Sequence, residues 1–412
     1  MRLRHLALAH FRRFAAFDHA FAPGPTIIWG DNGAGKSNLV EAAYLLATSR
    51  SPYSSSERDL IAWDCPHRPA FARTIGDCES HSRPVRIEIR LVEPGGNHSL
   101  ADPGAAPGPD EPYHPPSVRR RALIDGQPKA IGEILGHLNA VHFSPEEVEL
   151  VAGPGERRRR FLDIALSQLD RAYVRSLRRF QRAIVQRNAM LRRLRDDPAL
   201  PRTQLDPWDA EAVAHGAVVI ACRLRAVSRL NEALASLDGT APGAAPIRAD
   251  YVPSVDLRAI NVPDGPYIRG WDEGDPQVVA VASAMARAMT ASRGRDLGAG
   301  TTLVGPHRDD LVVRAAGIDQ RLYGSRGQQR TAALAMKVAE AHLMAEVTGE
   351  KPVLLLDDVM SELDPGRRQF VEALAIDTDQ AIVTGTEAAV FSDRFRGAAS
   401  TYRLQHGNLV RA

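Results

Sequence analysis

The chain has 412 residues, of which 44% are hydrophobic and 25% charged, and its formal net charge is +2. This length supplies enough core for a main domain and one smaller domain, and the small net charge confines any nucleic-acid surface to a local patch. The mean hydropathy is −0.24 and the first residues contain no continuous apolar segment, so we expect a cytoplasmic protein without a membrane span.

A phosphate-binding loop is predicted near the start of the chain, where residues 30–37 fit the pattern G-x-x-x-x-G-K-[ST]. A buried strand is predicted over Thr26–Trp29 and a helix over Leu39–Leu46. Backbone N–H groups of such a loop surround phosphates, and the helix N-terminus adds positive potential. The residues expected to bind the nucleotide are Gly30, Asp31, Asn32, Gly33, Ala34, Gly35, Lys36, Ser37 and Asn38.

Two side chains of this loop are expected to take part in the chemistry. Lys36 should reach the β- and γ-phosphates, and the Ser37 hydroxyl should be a ligand of Mg²⁺. Lysine occurs at only four positions among the 52 basic residues, which argues against a chance lysine here. Further along, the run 93–116 is rich in proline, glycine and acidic residues and is predicted to be a mobile hairpin insertion.

The middle of the chain, residues 151–298, is predicted to form a helical arm. Apolar residues recur every three or four positions from Leu162 to Ile184, which predicts one long helix. Further helices are expected over 209–237 and 276–293, and the absence of sustained heptads excludes a long coiled coil. A separate stripe on the first helix either contacts DNA phosphates or is a solvated face; it consists of Arg171, Arg175, Arg178 and Arg182.

After the arm, the residues His307, Arg308, Asp309 and Asp310 form a dense charged cluster. The cluster is either a salt-bridged turn or a place where Arg308 contacts nucleotide or another subunit. A second anion-binding loop is predicted where Ser325, Gly327 and Gln328 open a helix over 331–347 that ends before Gly349.

The last chemical element is an acidic pair at the end of a buried strand, Pro352–Asp358. Asp357 is expected to hold Mg²⁺ through water, and Asp358 to orient or deprotonate an attacking water molecule. Because 321 positions separate Lys36 from Asp357, more than one typical domain, a large segment must be inserted between the two halves of the ATPase fold.

The order of these motifs resembles that of the ATP-binding-cassette (ABC) ATPases. Ser325–Gln328 matches their signature loop, and Asp364 and Thr386 stand at their D-loop and switch-histidine positions. The resemblance implies a homodimer closing over two ATP molecules, with Ser325 and Gly327 contacting the γ-phosphate of the opposite subunit. It also makes Gln328, Asp364 and Thr386 expected nucleotide contacts and Ser325 catalytic. Slow hydrolysis is expected from threonine at 386 and aspartate at 358, and no Q-loop glutamine is evident near Glu146.

Segments spread over nearly the whole length resemble the RecF family of bacterial recombination mediators within the SMC-like branch: 3–14, 30–38, 143–146 with 157–163, and 303–311. That resemblance implies a discontinuous α/β ABC head, residues 1–150 and 299–412, with a mainly helical arm, residues 151–298. It implies a weak, DNA-stimulated ATPase that uses ATP and Mg²⁺ and acts as a DNA-binding homodimer in recombinational repair and replication restart.

The same resemblance implies sequence-independent binding at junctions between single-strand gaps and duplex DNA, with RecR as a partner and RecO and RecA in the same pathway. Two other functions stay open. One is an SMC-like DNA clamp in which ATP only assembles the dimer. The other is a nucleotide-binding subunit of another system, such as a transporter, which should have a Q-loop and a shorter gap between its two nucleotide motifs.

Overall fold

A computed structural model describes residues 1–81, 83–93, 118–237, 245–258, 260, 270 and 274–412. The insertion predicted at 93–116 lies, apart from its first residue, outside these ranges. Contacts divide the described chain into two compact units. Unit 1 comprises Met1–His142, Val353–Glu362 and Glu372–Ala412, and unit 2 comprises Phe143–Pro352 and Leu363–Val371.

The strands of the described residues are, in chain order, β1 (Arg2–Phe11), β2 (Phe14–Ala20), β3 (Gly24–Trp29), β4 (Phe71–Ser80), β5 (Arg83–Val92), β6 (Arg119–Ile124), β7 (Gln127–Lys129), β8 (Ala140–Phe143), β9 (Ile247–Val252), β10 (Asp310–Ala315), β11 (Ile318–Asp319), β12 (Val353–Leu356), β13 (Gln380–Gly385), β14 (Ser400–Gln405) and β15 (Asn408–Arg411).

The α-helices of the same residues are α1 (Lys36–Thr48), α2 (Ile131–Ile134), α3 (Glu149–Ala152), α4 (Gly155–Leu169), α5 (Arg171–Asp196), α6 (Asp206–Ser236), α7 (Pro276–Ala299), α8 (Gln320–Tyr323), α9 (Arg326–Thr348), α10 (Pro365–Asp377) and α11 (Asp393–Ala398). None of these helices has both the length and the apolar character that crossing a bilayer requires.

Unit 1 contains two sheets. One is antiparallel, in the order β2-β1-β4-β5-β6-β7, and the other has the order β15-β14-β3-β13-β12-β8. In the second sheet β13 runs parallel to both β3 and β12, and every residue of β12 and β13 is buried because both faces of a parallel sheet are covered. The carboxyl ends of the three strands therefore meet at one edge, where ligands bind in sheets of this kind.

This arrangement confirms the discontinuous α/β fold predicted from the two separated nucleotide motifs. Strand β3 comes from the first thirty residues, and β12 and β13 come from the last sixty. Leu356 pairs with Val383, and Val383 pairs with Ile27. The register thus brings the residues after β3 and β12 to the same edge as the end of β13.

Unit 2 is mainly helical, with a small antiparallel sheet of order β11-β10-β9. Helix α6 packs against α5, α7 and α9. The single helix predicted across Leu162–Ile184 is wrong, because the chain breaks into α4 and α5 at Asp170. The Asp170 side chain accepts a hydrogen bond from the backbone N–H of Ala172 at 2.7 Å and caps α5, a competition with helical backbone bonding that is typical of aspartate.

The apolar face predicted for that segment is confirmed on both helices, although the helix axis is interrupted. Its members are all buried: Leu166, Leu169, Tyr173, Leu177, Phe180 and Ile184. Helix α7 also differs from its prediction, since it continues through Gly294 to Ala299 and is capped by Gly300 at φ 64°. A buried pair between Asp296 and Arg187 stabilises these last turns and offsets the roughly 1 kcal/mol cost of an internal glycine.

The predicted three-segment division and the contact units are different descriptions of the chain. Unit 2 begins at Phe143 and includes α9, whereas the predicted arm spans 151–298 and assigns α9 to the head. The division into head segments 1–150 and 299–412 with an arm between them stays a prediction.

Candidate nucleotide-binding site

The loop between β3 and α1 depends on glycine at two positions. At Gly30 an added Cβ would lie 2.9 Å from the backbone oxygen of Leu404. Gly35 caps α1 at φ 110°, and an added Cβ there would lie 3.0 Å from the ring of Phe14. Only glycine fits both the left-handed backbone and the close approach. Leu404 and Phe14 therefore pack closely against the two ends of the loop. Its exposed residues are Asp31, Asn32, Gly33 and Ser37.

Lys36 begins α1 and turns its ammonium group back over this loop. Its Nζ donates to the backbone oxygens of Gly30 at 2.7 Å and Asp31 at 3.0 Å. Burial lowers the pKa of Lys36, whereas the carboxylates of Asp358, Asp357 and Asp31 oppose that shift. The structure thus brings the lysine of the first motif into the field of the acidic pair, as the sequence predicts.

Asp357 follows β12 directly and is buried, with 5% of its surface exposed. The Thr384 hydroxyl donates to its Oδ1 at 2.6 Å, and the Tyr53 hydroxyl donates to its Oδ2. Both carboxylate oxygens therefore accept hydrogen bonds from neutral hydroxyl groups. Neither of these two bonds neutralises the charge of the carboxylate. A carboxylate held in this way retains lone pairs for a cation or for water bound to one.

Asp358 is half-buried and adopts φ 50°, a left-handed conformation that aspartate tolerates better than most residues. Its backbone N–H donates to the Thr384 hydroxyl at 3.0 Å, so one threonine holds both acidic residues. Burial raises the pKa of Asp358, and the neighbouring Asp357 raises it further, while Lys36 lowers it. A carboxyl group with a raised pKa next to bound phosphates is suited to accept a proton from water.

The chemistry of the donor set fits magnesium. Asp357 supplies a carboxylate and Ser37 an exposed hydroxyl, the hard oxygen ligands that Mg²⁺ prefers. Within the described ranges no group of three or more His, Cys, Asp or Glu side chains is arranged to hold an ion. One or two protein oxygens completed by nucleotide phosphates and water is the usual arrangement of a magnesium–nucleotide site.

The second anion-binding loop lies in unit 2. Ser325 caps α9, its hydroxyl accepting from the backbone N–H of Gln328 at 3.3 Å, and Gln328 Oε1 accepts from the Ser325 N–H at 2.8 Å. This reciprocal capping box fixes the start of a 23-residue helix whose first N–H groups face solvent. Because Ser325 only accepts in that bond, its hydroxyl proton stays available to a phosphate oxygen.

The other predicted site residues are divided between the units. Asp364, in unit 2, accepts from the Arg367 backbone N–H at 3.0 Å, a bond that lowers the pKa of Asp364. Thr386 follows β13 in unit 1 and is half-buried, and Glu146, in unit 2, is exposed. Unit 1 thus brings the phosphate loop and the acidic pair together, and unit 2 contains Ser325, Gly327, Gln328 and Asp364.

The 307–310 cluster is a bonded turn within unit 2. Asp310 receives two hydrogen bonds from Arg158, at 2.7 and 2.9 Å, and the fully buried Asp309 accepts from Tyr251 and from the backbone of Ser254. The Arg308 side chain is exposed. The acidic half of the cluster is therefore structural, which agrees with the first of the two interpretations drawn from the sequence.

Three residues of the site were missed by motif analysis: Thr384, Tyr53 and His142. Thr384 could have been found, because pairing of Leu356 with Val383 puts the next residues, Asp357 and Thr384, side by side. Tyr53 lies in the loop after α1, 304 positions before Asp357, and His142 lies in β8. No local pattern marks these two.

A basic surface in unit 2 follows one face of α5. Arg171, Arg175, Arg178 and Arg182 are all exposed, as the stripe predicts. Among the described residues, Arg175, Arg178 and Arg182 form no ion pair with a carboxylate. Unpaired guanidinium groups at helical spacing can follow a row of phosphates without reading bases.

Known proteins similar to this chain share its length. It is 41% identical over 417 residues to the DNA replication and repair protein RecF of Chloroflexus aggregans, covering 99% of each chain, and 36% identical to RecF of Roseiflexus castenholzii over the full length of both. No protein-family model matches the chain. A solved structure titled as the recombination mediator protein RecF with ATP in the RecFOR pathway superposes with a TM-score of 0.81 at 27% identity, covering 100% of this chain and 97% of the other.

Proposed function

This chain belongs to the RecF family of DNA replication and repair proteins, and on that premise we propose that it is an ATP-dependent, DNA-binding homodimer. It would act at junctions between single-strand gaps and duplex DNA. There it would promote loading of the RecA recombinase together with RecO and RecR, and slow ATP hydrolysis would release the dimer. The setting is the cytoplasm, as for other enzymes that act on the bacterial chromosome.

The observation that carries the ATPase part is the convergence at the sheet edge of unit 1. Lys36 from one end of the chain lies in the electrostatic field of Asp357 and Asp358 from the other end. A lysine, a hydroxyl and two carboxylates at the N-terminus of a helix are the groups that phosphoryl transfer from a nucleotide requires. ATP-bound RecF structures of the same fold support ATP as the ligand.

In the proposed reaction each residue has a separate task. Magnesium, when bound, neutralises charge on the β- and γ-phosphates. Asp357 and Ser37 would hold that ion, Lys36 would stabilise the phosphate oxygens, and Asp358 would take the proton of the attacking water. Ser325 and Gly327 would contact the γ-phosphate bound by the partner subunit, with Gln328 and Asp364 at the same interface and Thr386 at the rim of the pocket.

The DNA-binding part is supported by three exposed arginines of α5 that form no ion pair with a carboxylate among the described residues. With a net charge of only +2, the chain must concentrate any DNA surface locally, and Arg175, Arg178 and Arg182 provide such a concentration. Binding to phosphates alone would select DNA structure and not base sequence.

A second candidate function is favoured by one feature of the site. Asp358 has a shorter side chain than the glutamate usual in ABC ATPases, and Thr386 replaces their switch histidine. If these changes stop hydrolysis, ATP would serve only to assemble a DNA clamp. A transporter subunit is not favoured. Such a subunit should have a shorter gap between its two nucleotide motifs than the 321 positions that separate Lys36 from Asp357.

Sedimentation of the full chain with and without ATP and gapped DNA tests the proposal. We expect ATP to convert monomers to dimers and gapped DNA to sediment with the dimer. Lys36→Ala should weaken ATP binding about a hundredfold, because one charged hydrogen bond to phosphate contributes about 3 kcal/mol, and should prevent dimer formation. Lys351→Ala, which removes an exposed lysine, is the matched control. Dimers that persist without nucleotide would contradict the proposal.

A further inference from the structure

Tyr53 joins the metal-binding carboxylate of unit 1 to strand β8. Its hydroxyl donates to Asp357 Oδ2 and lies 3.0 Å from Nε2 of His142. His142 is buried, with its ring 5.6 Å from the Tyr53 ring and 5.4 Å from the Tyr44 ring. The phenol is therefore held between a histidine and a carboxylate, although 38% of Tyr53 is exposed.

The single hydroxyl proton of Tyr53 determines which atom donates in each of its two hydrogen bonds. A tyrosine hydroxyl has one proton, and Tyr53 donates it to a carboxylate oxygen of Asp357. The contact with His142 therefore requires Nε2–H of the imidazole to donate to the tyrosine oxygen. Hydrogen bonds that run in one direction, from His142 to Tyr53 to Asp357, polarise and strengthen one another.

Two hydroxyl groups thus determine how Asp357 is oriented. Thr384 holds Oδ1 at 2.6 Å from within the sheet, and Tyr53 holds Oδ2 from the loop after α1. The two donors differ in what lies behind them. Thr384 is part of β13 and also binds the Asp358 backbone, whereas Tyr53 is backed by a histidine at the end of another segment.

That histidine has a special place in the chain. His142 is the last residue of the first segment of unit 1, and Phe143 is the first residue of unit 2. His142 and Phe143 are neighbours in β8, and the chain continues from this strand into α3 and α4.

We propose that Tyr53 is a positioning residue for the magnesium-binding carboxylate and that, through His142, it couples occupancy of Asp357 to the segment beginning at Phe143. This inference rests on the proposed function. A divalent cation bound to the carboxylate would fix its orientation, which Tyr53 already favours, so the geometry of the Tyr53 bond would change when the site fills. The His142 bond, polarised by the same chain, changes with it.

The first test removes one oxygen atom. Tyr53→Phe in the full chain should raise the Mg²⁺ concentration needed for half-maximal binding of a fluorescent ATP analogue about tenfold, the usual effect of losing a partner of a metal ligand. Binding of the same analogue in EDTA should be unchanged, because the phenol would act through the metal ligand Asp357. Tyr402→Phe, in β14 against His19, removes a tyrosine hydroxyl elsewhere in unit 1 and should change neither value.

Two substitutions of His142 then separate the effect of its hydrogen bond to Tyr53 from the effect of changing the side chain. His142→Gln keeps an N–H that can donate to Tyr53 and should retain the wild-type Mg²⁺ midpoint. His142→Leu removes that donor and should shift the midpoint in the same direction as Tyr53→Phe. Thermal unfolding of each variant identifies a loss caused by misfolding, which would affect binding in EDTA as well.

The coupling is measured by amide hydrogen exchange over residues 143–152. In the wild-type chain, Mg²⁺ with a non-hydrolysable ATP analogue should change exchange there relative to the analogue in EDTA, and Tyr53→Phe should abolish that difference. An unaltered Mg²⁺ midpoint together with a wild-type exchange response in Tyr53→Phe would overturn the inference. Failure of the wild-type chain to bind the analogue at all would contradict the proposed function instead.

Discussion

The two units use charged side chains for opposite purposes. In unit 1, Lys36, Asp357 and Asp358 approach one another without closing into ion pairs, and burial shifts the pKa of Lys36 down and that of Asp358 up. In unit 2, by contrast, Arg187 is fully buried and bound to Asp296 and Asp209 at 2.8 and 2.5 Å. The contrast indicates that charges left without an ion-pair partner can serve chemistry, whereas buried charges closed into ion pairs serve architecture.

The unit 2 pairs form an internal frame. Arg158 binds Asp310, Arg187 binds Asp296, and Arg223 binds Asp163 at 2.6 Å, with each arginine almost fully buried. These pairs join helices to each other and to the small sheet, and breaking one leaves an uncompensated buried charge. The charges at the sheet edge of unit 1 should therefore control turnover, and the buried ion pairs of unit 2 should control stability.

The sharpest test of the unit 1 half is Asp358→Asn. Loss of a general base that accepts the proton of water should lower kcat by about 10²–10⁴-fold, while ATP still binds through the unchanged phosphate loop. Single-turnover hydrolysis and sedimentation in ATP should show a trapped dimer. Asp393→Asn, at an exposed carboxylate of the same unit, is the control.

An unchanged kcat in Asp358→Asn would remove this residue from the reaction. Undiminished repair in cells carrying a variant with no turnover would favour the clamp, in which ATP only assembles the dimer.

In unit 2 the matching change is Asp296→Ala. The variant removes the fully buried carboxylate partner of Arg187 on α7, and the free energy of unfolding should fall by about 3–5 kcal/mol. Urea unfolding measures the loss, and Asp196→Ala at the exposed end of α5 should cost almost nothing. At a temperature where Asp296→Ala is folded, its kcat should equal that of the wild type. A large loss of kcat would contradict the hypothesis that the buried charges of unit 2 affect only stability.

The parts of the molecule that could be predicted from the sequence are those that depend on contacts between residues close in the chain. The phosphate loop, the acidic strand and the capped helix after Ser325 depend on contacts within a few residues, and their patterns identify them. The confirmed fold class followed from the order of those patterns. The role of each motif residue stays a prediction until the experiments above are made.

What could not be predicted depends on distant pairing. Thr384 reaches Asp357 only through strand register, and Tyr53 reaches it across 304 positions. The break at Asp170 was missed because the apolar repeat continues across it, and a local capping bond outweighs the repeat at that residue. Helix α7 passes Gly294 because the buried Asp296 pair stabilises turns that local propensity disfavours.

Acid should affect unit 2 through stability. Burial lowers the pKa of His307 from 6.5 to about 4, with Arg308, Arg159 and Arg187 adding to the shift. The folded chain keeps this imidazole neutral while the unfolded chain takes up a proton near pH 6.5. Stability is therefore lost as the pH falls from 6.5 towards 4, by about 2–3 kcal/mol from this residue.

His307→Gln keeps a donor for the backbone oxygen of Thr302 and removes the titration. Unfolding free energies at pH 7 and pH 4.5 should differ less in this variant than in the wild type. Parallel losses in both chains would show that His307 does not cause the acid sensitivity.

The smallest effect is expected for the exposed arginines of α5. If they bind DNA, unit 2 contains functional charges as well as structural ones. Arg175→Glu with Arg178→Glu should weaken duplex binding about tenfold at 0.15 M salt and reduce the slope of log K against log salt by about 2, one per lost phosphate contact. Arg287→Glu with Arg295→Glu changes the net charge equally on exposed positions of α7 and separates a local contact from a general field effect. Equal losses in the two double variants would indicate non-specific attraction. A loss confined to the α5 variant, with unfolding and ATP binding unaltered, would make α5 the part of unit 2 where unpaired charge serves function.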